Sequence, residues 1–257
     1  MAVAGRAAYR EARMTPGTSD RRFPPTRLTV LERIRTDVPE ERRASFGPLA
    51  EAYWKPIDAY LRIRWRLGQE EAEDMTQAFF AAAFEKRWLE RFDPTRARFR
   101  TFLRTCVDRF AMNQHQAAKR QKRGGGARFV GFEFETPDGE IRERPIEDPV
   151  AQEELFRREW IRDLFSRSVE EVRRECVAAG HEARFELFER YDLGPEEGLS
   201  YADLAREMEL TIPQVTAGLA AVRRAFRTRA LVNLREACVC AEEYSAEARE
   251  IFGVEVE

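Results

Sequence analysis

The chain is predicted to be all-α, with two helical domains joined by an acidic, flexible linker. Three features predict this. Apolar residues recur at helical spacing over two long blocks, Gly124-Gly125-Gly126 separates those blocks, and the alternation typical of a strand is short, at Phe132-Glu133-Phe134-Glu135.

The first block opens after residues 1–24, a mixture of small, charged and Pro/Gly residues without periodicity that predicts a disordered tail. From about Phe46, Leu49, Tyr53, Ile57 and Tyr60 recur at helical spacing, and Pro56 is expected to end or kink that helix. A second helix is predicted from Gln69 to Leu89, with Ala72, Met75, Phe79 and Ala82 on its apolar stripe. Phe92-Asp93-Pro94-Thr95 breaks the pattern. A third helix then carries Phe99, Phe102, Leu103, Cys106 and Phe110 inward and stops at the triple glycine.

Beyond the glycines, residues 129–149 contain Asp138-Gly139, a turn signal compatible with a short hairpin. The second helical block starts near Trp160, with Ile161, Phe165, Ser168 and Val172 as its stripe. Its sharpest signal lies between Ser200 and Leu231. Ser200 is an N-cap with Asp203 in the first turn, and Thr211-Ile212-Pro213-Gln214 has the capping-box pattern. Val215, Leu219, Val222 and Phe226 follow at helical spacing. Two short helices joined by a few residues, the second ending in arginines, predict a helix-turn-helix; a plain helical hairpin is the alternative. Residues 25–123, 124–157 and 158–235 are thus read as first domain, linker and second domain. Residues 236–257 are a C-terminal extension whose Tyr244, Ile251 and Phe252 would pack as a helix on the second domain.

Composition narrows the function. Of 257 residues, 43% are hydrophobic and 35% charged, which suits a chain with a core and a heavily solvated surface. No apolar run is long enough to cross a bilayer, and the arginine-containing N-terminus has no signal-peptide pattern, so a cytoplasmic location is expected. Four cysteines and two histidines, scattered, predict neither a disulfide framework nor a metal site. Gly124-Gly125-Gly126 lacks the lysine and hydroxyl residue of a phosphate loop, and neither His115 nor His181 has an evident nucleophile partner. No catalytic residue, metal or cofactor is expected.

The net charge of −2 conceals opposed blocks. Arg96 to Arg128 holds ten basic residues and one acidic, Asp108, for +9; Glu133 to Trp160 holds ten acidic and four basic, for −6. Such asymmetry suggests a face for a polyanion. Arg100 and Arg104, one turn apart, are expected opposite the apolar face of the third helix, with Arg109, Asn113 and Gln116 on its polar side. Arginines would neutralise phosphates, amide side chains would read base edges, and Phe92 and Phe99 would flank a basic loop suited to stacked bases. The alternative is a solvated arginine-rich helix, since the chain has 40 Arg to 4 Lys. On the second helix, Glu71, Asp74 and Gln77 form a compact acidic face fit to dock a basic helix, or a solvated face well placed for the helix dipole. The −6 segment could also fold over the +9 helix and restrain free DNA binding; a solvated connector is the alternative.

In this order, the motifs resemble those of extracytoplasmic-function sigma factors, the two-domain specificity subunits of bacterial RNA polymerase. Glu71-Ala72-Glu73-Asp74-Met75-Thr76-Gln77-Ala78-Phe79-Phe80 resembles that family's Asp-Ala-Glu-Asp-Leu-Thr-Gln signature. Phe99-Arg100-Thr101-Phe102-Leu103 is similar to its Phe-Arg-x-Trp/Phe-Leu segment, and Ser200 to Arg227 to its C-terminal helix-turn-helix. Phe23-Pro24-Pro25-Thr26-Arg27, Ala52 to Pro56 and Gln121 to Gly126 resemble a sub-group, so the likeness spans about residues 23–235.

The resemblance implies a region 2-like helical bundle and a region 4-like helix-turn-helix, in a factor with no chemistry of its own. Glu71, Asp74 and Gln77 would dock on the clamp helices of core polymerase, whose flap is a further implied contact. Arg96, Arg98, Arg100, Arg104, Arg109, Asn113, Gln116, Lys119 and Arg120 would melt and hold the minus-ten element of promoter DNA. Thr211, Gln214, Thr216, Arg223, Arg224 and Arg227 would contact the minus-thirty-five element. An anti-sigma factor or a regulatory kinase is a further partner of the kind implied. The chain departs from the family at Arg109 and Asn113, and at Thr216, Gly218 and Ala220, where basic or histidine residues are usual; Gly218 also weakens its helix by up to about 1 kcal/mol relative to alanine. Two other readings are a stand-alone helix-turn-helix regulator and a degenerate, sigma-like interaction adaptor.

Overall fold

The structure, a computed structural model, describes residues 34–122, 149–194 and 199–256; the side chains of residues 119–122 and of residue 149 are not included. Among these residues every regular element is helical, as the spacing predicts. The α-helices are α1 (Pro39–Arg64), α2 (Gln69–Glu85), α3 (Phe99–Lys122), α4 (Pro149–Ala178), α5 (Glu182–Phe188), α6 (Tyr201–Glu207), α7 (Ile212–Ala237) and α8 (Ala241–Phe252). A 3-10 turn, Trp88–Arg91, follows α2, and a π-helical turn, Glu189–Leu193, follows α5. The expected N-terminal tail and the hairpin at 129–149 lie outside the described residues, apart from the helical start of α4.

The chain divides into two compact units, one of Trp54–Glu159 and one joining Met1–Tyr53 to Trp160–Glu257. The dividing points fall within α1 and α4; the triple glycine lies outside the described residues. Helix α4 begins inside the segment 124–157 read as linker. Its early turns are anchored because Gln152, Phe156 and Glu159 recur on one buried face, a period that the acidic composition of the segment disguised.

In the first unit, α1 passes through Pro56 without ending there. Proline removes one intrahelical hydrogen bond, but Pro56 is itself buried beside Ile57, and the packing offsets that loss. The buried stripe of α2 is Ala72, Thr76, Phe79, Phe80 and Ala83, with Met75 and Ala82 half-buried at its edges. The expected stripe was therefore turned by about one residue, because polar Thr76 sits fully inside. Helix α2 ends at Glu85 and not at Leu89; Arg87, with φ of 55°, takes the left-handed conformation that stops it and turns Trp88 inward. Phe79 meets Trp88 and Phe110 at ring-centroid distances of 6.2 and 5.8 Å, so the turn after α2 closes onto α3. Helix α3 buries Phe99, Leu103, Cys106, Val107, Phe110 and Ala111, whereas Phe102 is half-buried.

In the second unit, Phe226 of α7 lies between Phe165 of α4 and Phe188 of α5, at 5.6 and 6.0 Å. Both anticipated helix starts are formed. The Asp203 amide donates to Ser200 Oγ at 3.1 Å and the Ser200 amide to Asp203 Oδ2 at 3.2 Å. The Thr211 amide donates to Gln214 Oε1 at 2.8 Å and the Gln214 amide to Thr211 Oγ1 at 3.4 Å. The residues between α6 and α7 thus make a tight helix-to-helix turn. A Cβ added at Gly218 would lie 2.9 Å from Leu187 Cδ1, so the missing side chain lets α5 approach α7 closely. Helix α8 buries Tyr244, Ile251 and Phe252, with Phe252 5.8 Å from the Phe165 ring, as expected of the extension.

Candidate functional site

The acidic helix presents its three singled-out residues to solvent: Glu71, Asp74 and Gln77 are all exposed on α2, opposite its buried stripe. Glu71 also accepts the Gly68 amide at 3.1 Å and so caps the helix, while Gln69 Nε2 donates to Glu73 Oε1 at 2.9 Å. Trp54 of α1 stays 36% exposed while stacking on Phe80, at the buried stripe of α2, at 5.8 Å. Asp58, also on α1, is half-buried. Burial pushes its carboxyl above the usual value, Arg62 opposes the shift, and nearby Glu73 adds to it.

The basic residues fall into three sets. Arg96 is exposed and lies 3.4 Å from Asp93, whose carboxylate also accepts the Thr95 amide at 2.9 Å, fixing the turn before α3. Arg98 is half-buried. Arg109, Asn113 and Gln116 are exposed and recur on one face of α3, as expected, and the Lys119 and Arg120 side chains lie outside the described ones.

Arg100 and Arg104 form the third set and correct the expectation of a solvent-facing pair. Arg100 is 5% exposed, and its Nε lies 3.7 Å from Glu153 Oε1. Arg104 Nε donates to Glu153 Oε2 at 3.0 Å and its Nη1 to Asp108 Oδ2 at 2.8 Å. Asp108, the one acid in the basic block, is a hub: Tyr60 Oη donates to it at 3.0 Å and Trp65 Nε1 at 3.4 Å. Burial pushes the Asp108 carboxyl upward, and Arg104, Tyr60 and Trp65 oppose that shift. Burial also pushes the Tyr60 hydroxyl up, and the Asp108 charge adds to it. The i, i+4 spacing of Arg104 and Asp108 carried the signal for part of this cluster; Glu153, distant in sequence, gave none.

The second-unit candidates are similarly divided. Thr211 and Gln214 spend their side chains on the capping box, and Thr216 Oγ1 donates to the Ile212 carbonyl at 2.9 Å. Arg223 turns inward, bonding Asp192 through Nε and Nη2 at 3.0 and 2.8 Å and Tyr201 Oη through Nη1 at 3.2 Å, with its guanidinium 5.5 Å from the Tyr191 ring centroid. Arg224 is exposed and Arg227 half-buried. Gly218 is buried, so it is no groove position; exposed Ile212, Pro213, Thr216, Ala217 and Ala220 give the first turns of α7 an uncharged outer face.

Reactive chemistry is poorly served by the thiols. Burial pushes the Cys106 thiol up to about 12, and burial also raises those of Cys176 and Cys240, which disfavours nucleophilic thiolates. Among the described residues no three His, Cys, Asp or Glu side chains are grouped to hold a metal ion, and no helix is long and apolar enough to cross a membrane. Comparison of the chain with protein-family models, with curated proteins and with solved structures finds no match.

Proposed function

We propose that this chain is a sigma-type initiation factor: it binds core RNA polymerase through α2 and lets the polymerase open and hold promoter DNA through α3. The observation that carries the reading is the exposure of Glu71, Asp74 and Gln77 together on α2, in the sequence motif that resembles the polymerase-docking signature. Helix α3 supports it with Arg109, Asn113 and Gln116 along one exposed face. Arginine there would neutralise phosphates of a displaced strand, and the amides would meet base edges. Holding that strand offsets the few kcal/mol per step needed to unstack duplex.

Promoter choice by the second unit would be weak or altered. With Thr211, Gln214, Thr216 and Arg223 all hydrogen-bonded within the fold, the exposed Arg224 is the candidate that presents a cation for an upstream element. The same observation favours a second reading, a sigma-like adaptor whose helical surfaces bind proteins only. Capture of core polymerase by the purified chain, with loss on Asp74→Arg, tests the first reading against a stand-alone DNA-binding regulator. Strongly salt-dependent promoter binding by the reconstituted holoenzyme separates it from the adaptor.

A further inference from the structure

The acidic block and the basic block of the sequence meet inside the first unit. Glu153, early in α4, accepts from Thr101 Oγ1 at 2.7 Å through one oxygen and from Arg104 Nε at 3.0 Å through the other. Its Oε1 lies 3.7 Å from Arg100 Nε, and Gln152 Oε1 accepts from Arg104 Nη1 at 3.4 Å. One turn on, Phe156 is fully buried with its ring edge-on to Tyr60 at 5.3 Å. These turns of α4 therefore cover two arginines with a carboxylate, the group a phosphate would have to replace. Asp108 belongs to α3 itself, so it would remain beside Arg104 if α4 were lifted and would keep that guanidinium oriented.

Resting on the function proposed above, we propose that residues 150–159 are a displaceable strap, which withholds Arg100 and Arg104 from single-stranded DNA until Glu153 is lifted off them. The backbone phosphates of the strand compete with the Glu153 carboxylate for the same guanidinium groups. Both offer oxygen acceptors to arginine, and the polyanion gains further from counterion release.

The test uses the full-length chain without polymerase and a fluorescent oligothymidylate. Glu153→Gln keeps the side-chain shape and removes the charge. It is expected to tighten binding about tenfold at low salt and to steepen the dependence of log affinity on log salt by about 1.4, the increment for two more neutralised phosphates on a single strand. Adding Arg100→Gln and Arg104→Gln in that background should cancel both gains. An unchanged affinity and slope in Glu153→Gln, or a gain that survives loss of both arginines, overturns the strap. A readout on the unmutated chain guards against a variant that fails to fold: excess oligothymidylate should speed amide exchange across 150–159, and unchanged or slowed exchange there counts against the proposal. If the underlying function is wrong, the holoenzyme fails to initiate; if only the strap is wrong, the holoenzyme initiates and Glu153→Gln behaves as wild type.

Discussion

Arg223 offers a sharp separation between a residue that reads DNA and one that holds the fold. Its guanidinium makes two bonds to Asp192, one to Tyr201 and a cation–π contact with Tyr191, and the Asp192 side chain is only 9% exposed. Arg223→Met keeps most of the aliphatic stem but leaves the Asp192 carboxylate without that partner. A hydrogen bond to a charged group contributes about 1.5–3 kcal/mol, and removing one partner of a fully buried pair costs about 3–5 kcal/mol. Arg223 is 23% exposed, so solvent partly screens the loss and about 2–3 kcal/mol is expected. For a chain of this size that lowers the thermal midpoint by roughly 5–10 °C. Calorimetry checks the value, and Asp192→Asn in the Arg223→Met background should recover part of it. A variant as stable as wild type, with loss confined to DNA binding, would refute the assignment of Arg223 to the fold.

Asp74→Arg should abolish capture of core polymerase yet leave the thermal midpoint within about 2 °C, because surface substitutions usually change stability by less than about 0.5 kcal/mol. Gly218→Leu places a side chain against Leu187 and is expected to cost about 1–3 kcal/mol, partly recovered by Leu187→Ala in a double-variant urea titration. Asp108 has a folded-state carboxyl raised above its ordinary value of 3.8, so it binds its proton more tightly folded than unfolded. Its contribution to stability is fully present below that ordinary value and is lost as pH rises through the raised one. Urea midpoints of wild type relative to Asp108→Asn should therefore climb as pH is lowered through that window; a difference independent of pH would contradict the burial argument.

Much of the helical order was legible because local rules agree with tertiary ones in this chain. Ser200 with Asp203 and Thr211 with Gln214 are complete local signals, and the structure forms both boxes. The exposure of Glu71, Asp74 and Gln77 follows from helical spacing against an apolar stripe. What the pattern missed depends on long-range pairing. Arginine in an amphipathic helix is read as solvent-facing, yet Arg100 is buried because Glu153, some fifty positions later, neutralises it. Arg223, which the resemblance would place at the minus-thirty-five element, turns inward to Asp192 of the π-helical turn, 31 positions earlier, a pairing with no local signal. Pro56 and Gly218 were read by their local costs, which burial of the proline and close approach of Leu187 offset. Acidic composition similarly hid the start of α4, where Gln152, Phe156 and Glu159 share a buried face.

The most direct measurement of the central claim is run-off transcription with bacterial core polymerase, this chain and a library of genomic fragments. Transcripts with defined start points that depend on the chain, and that disappear with Asp74→Arg, are the expected result. Core polymerase that neither binds the folded chain nor gains start points from it would contradict the account.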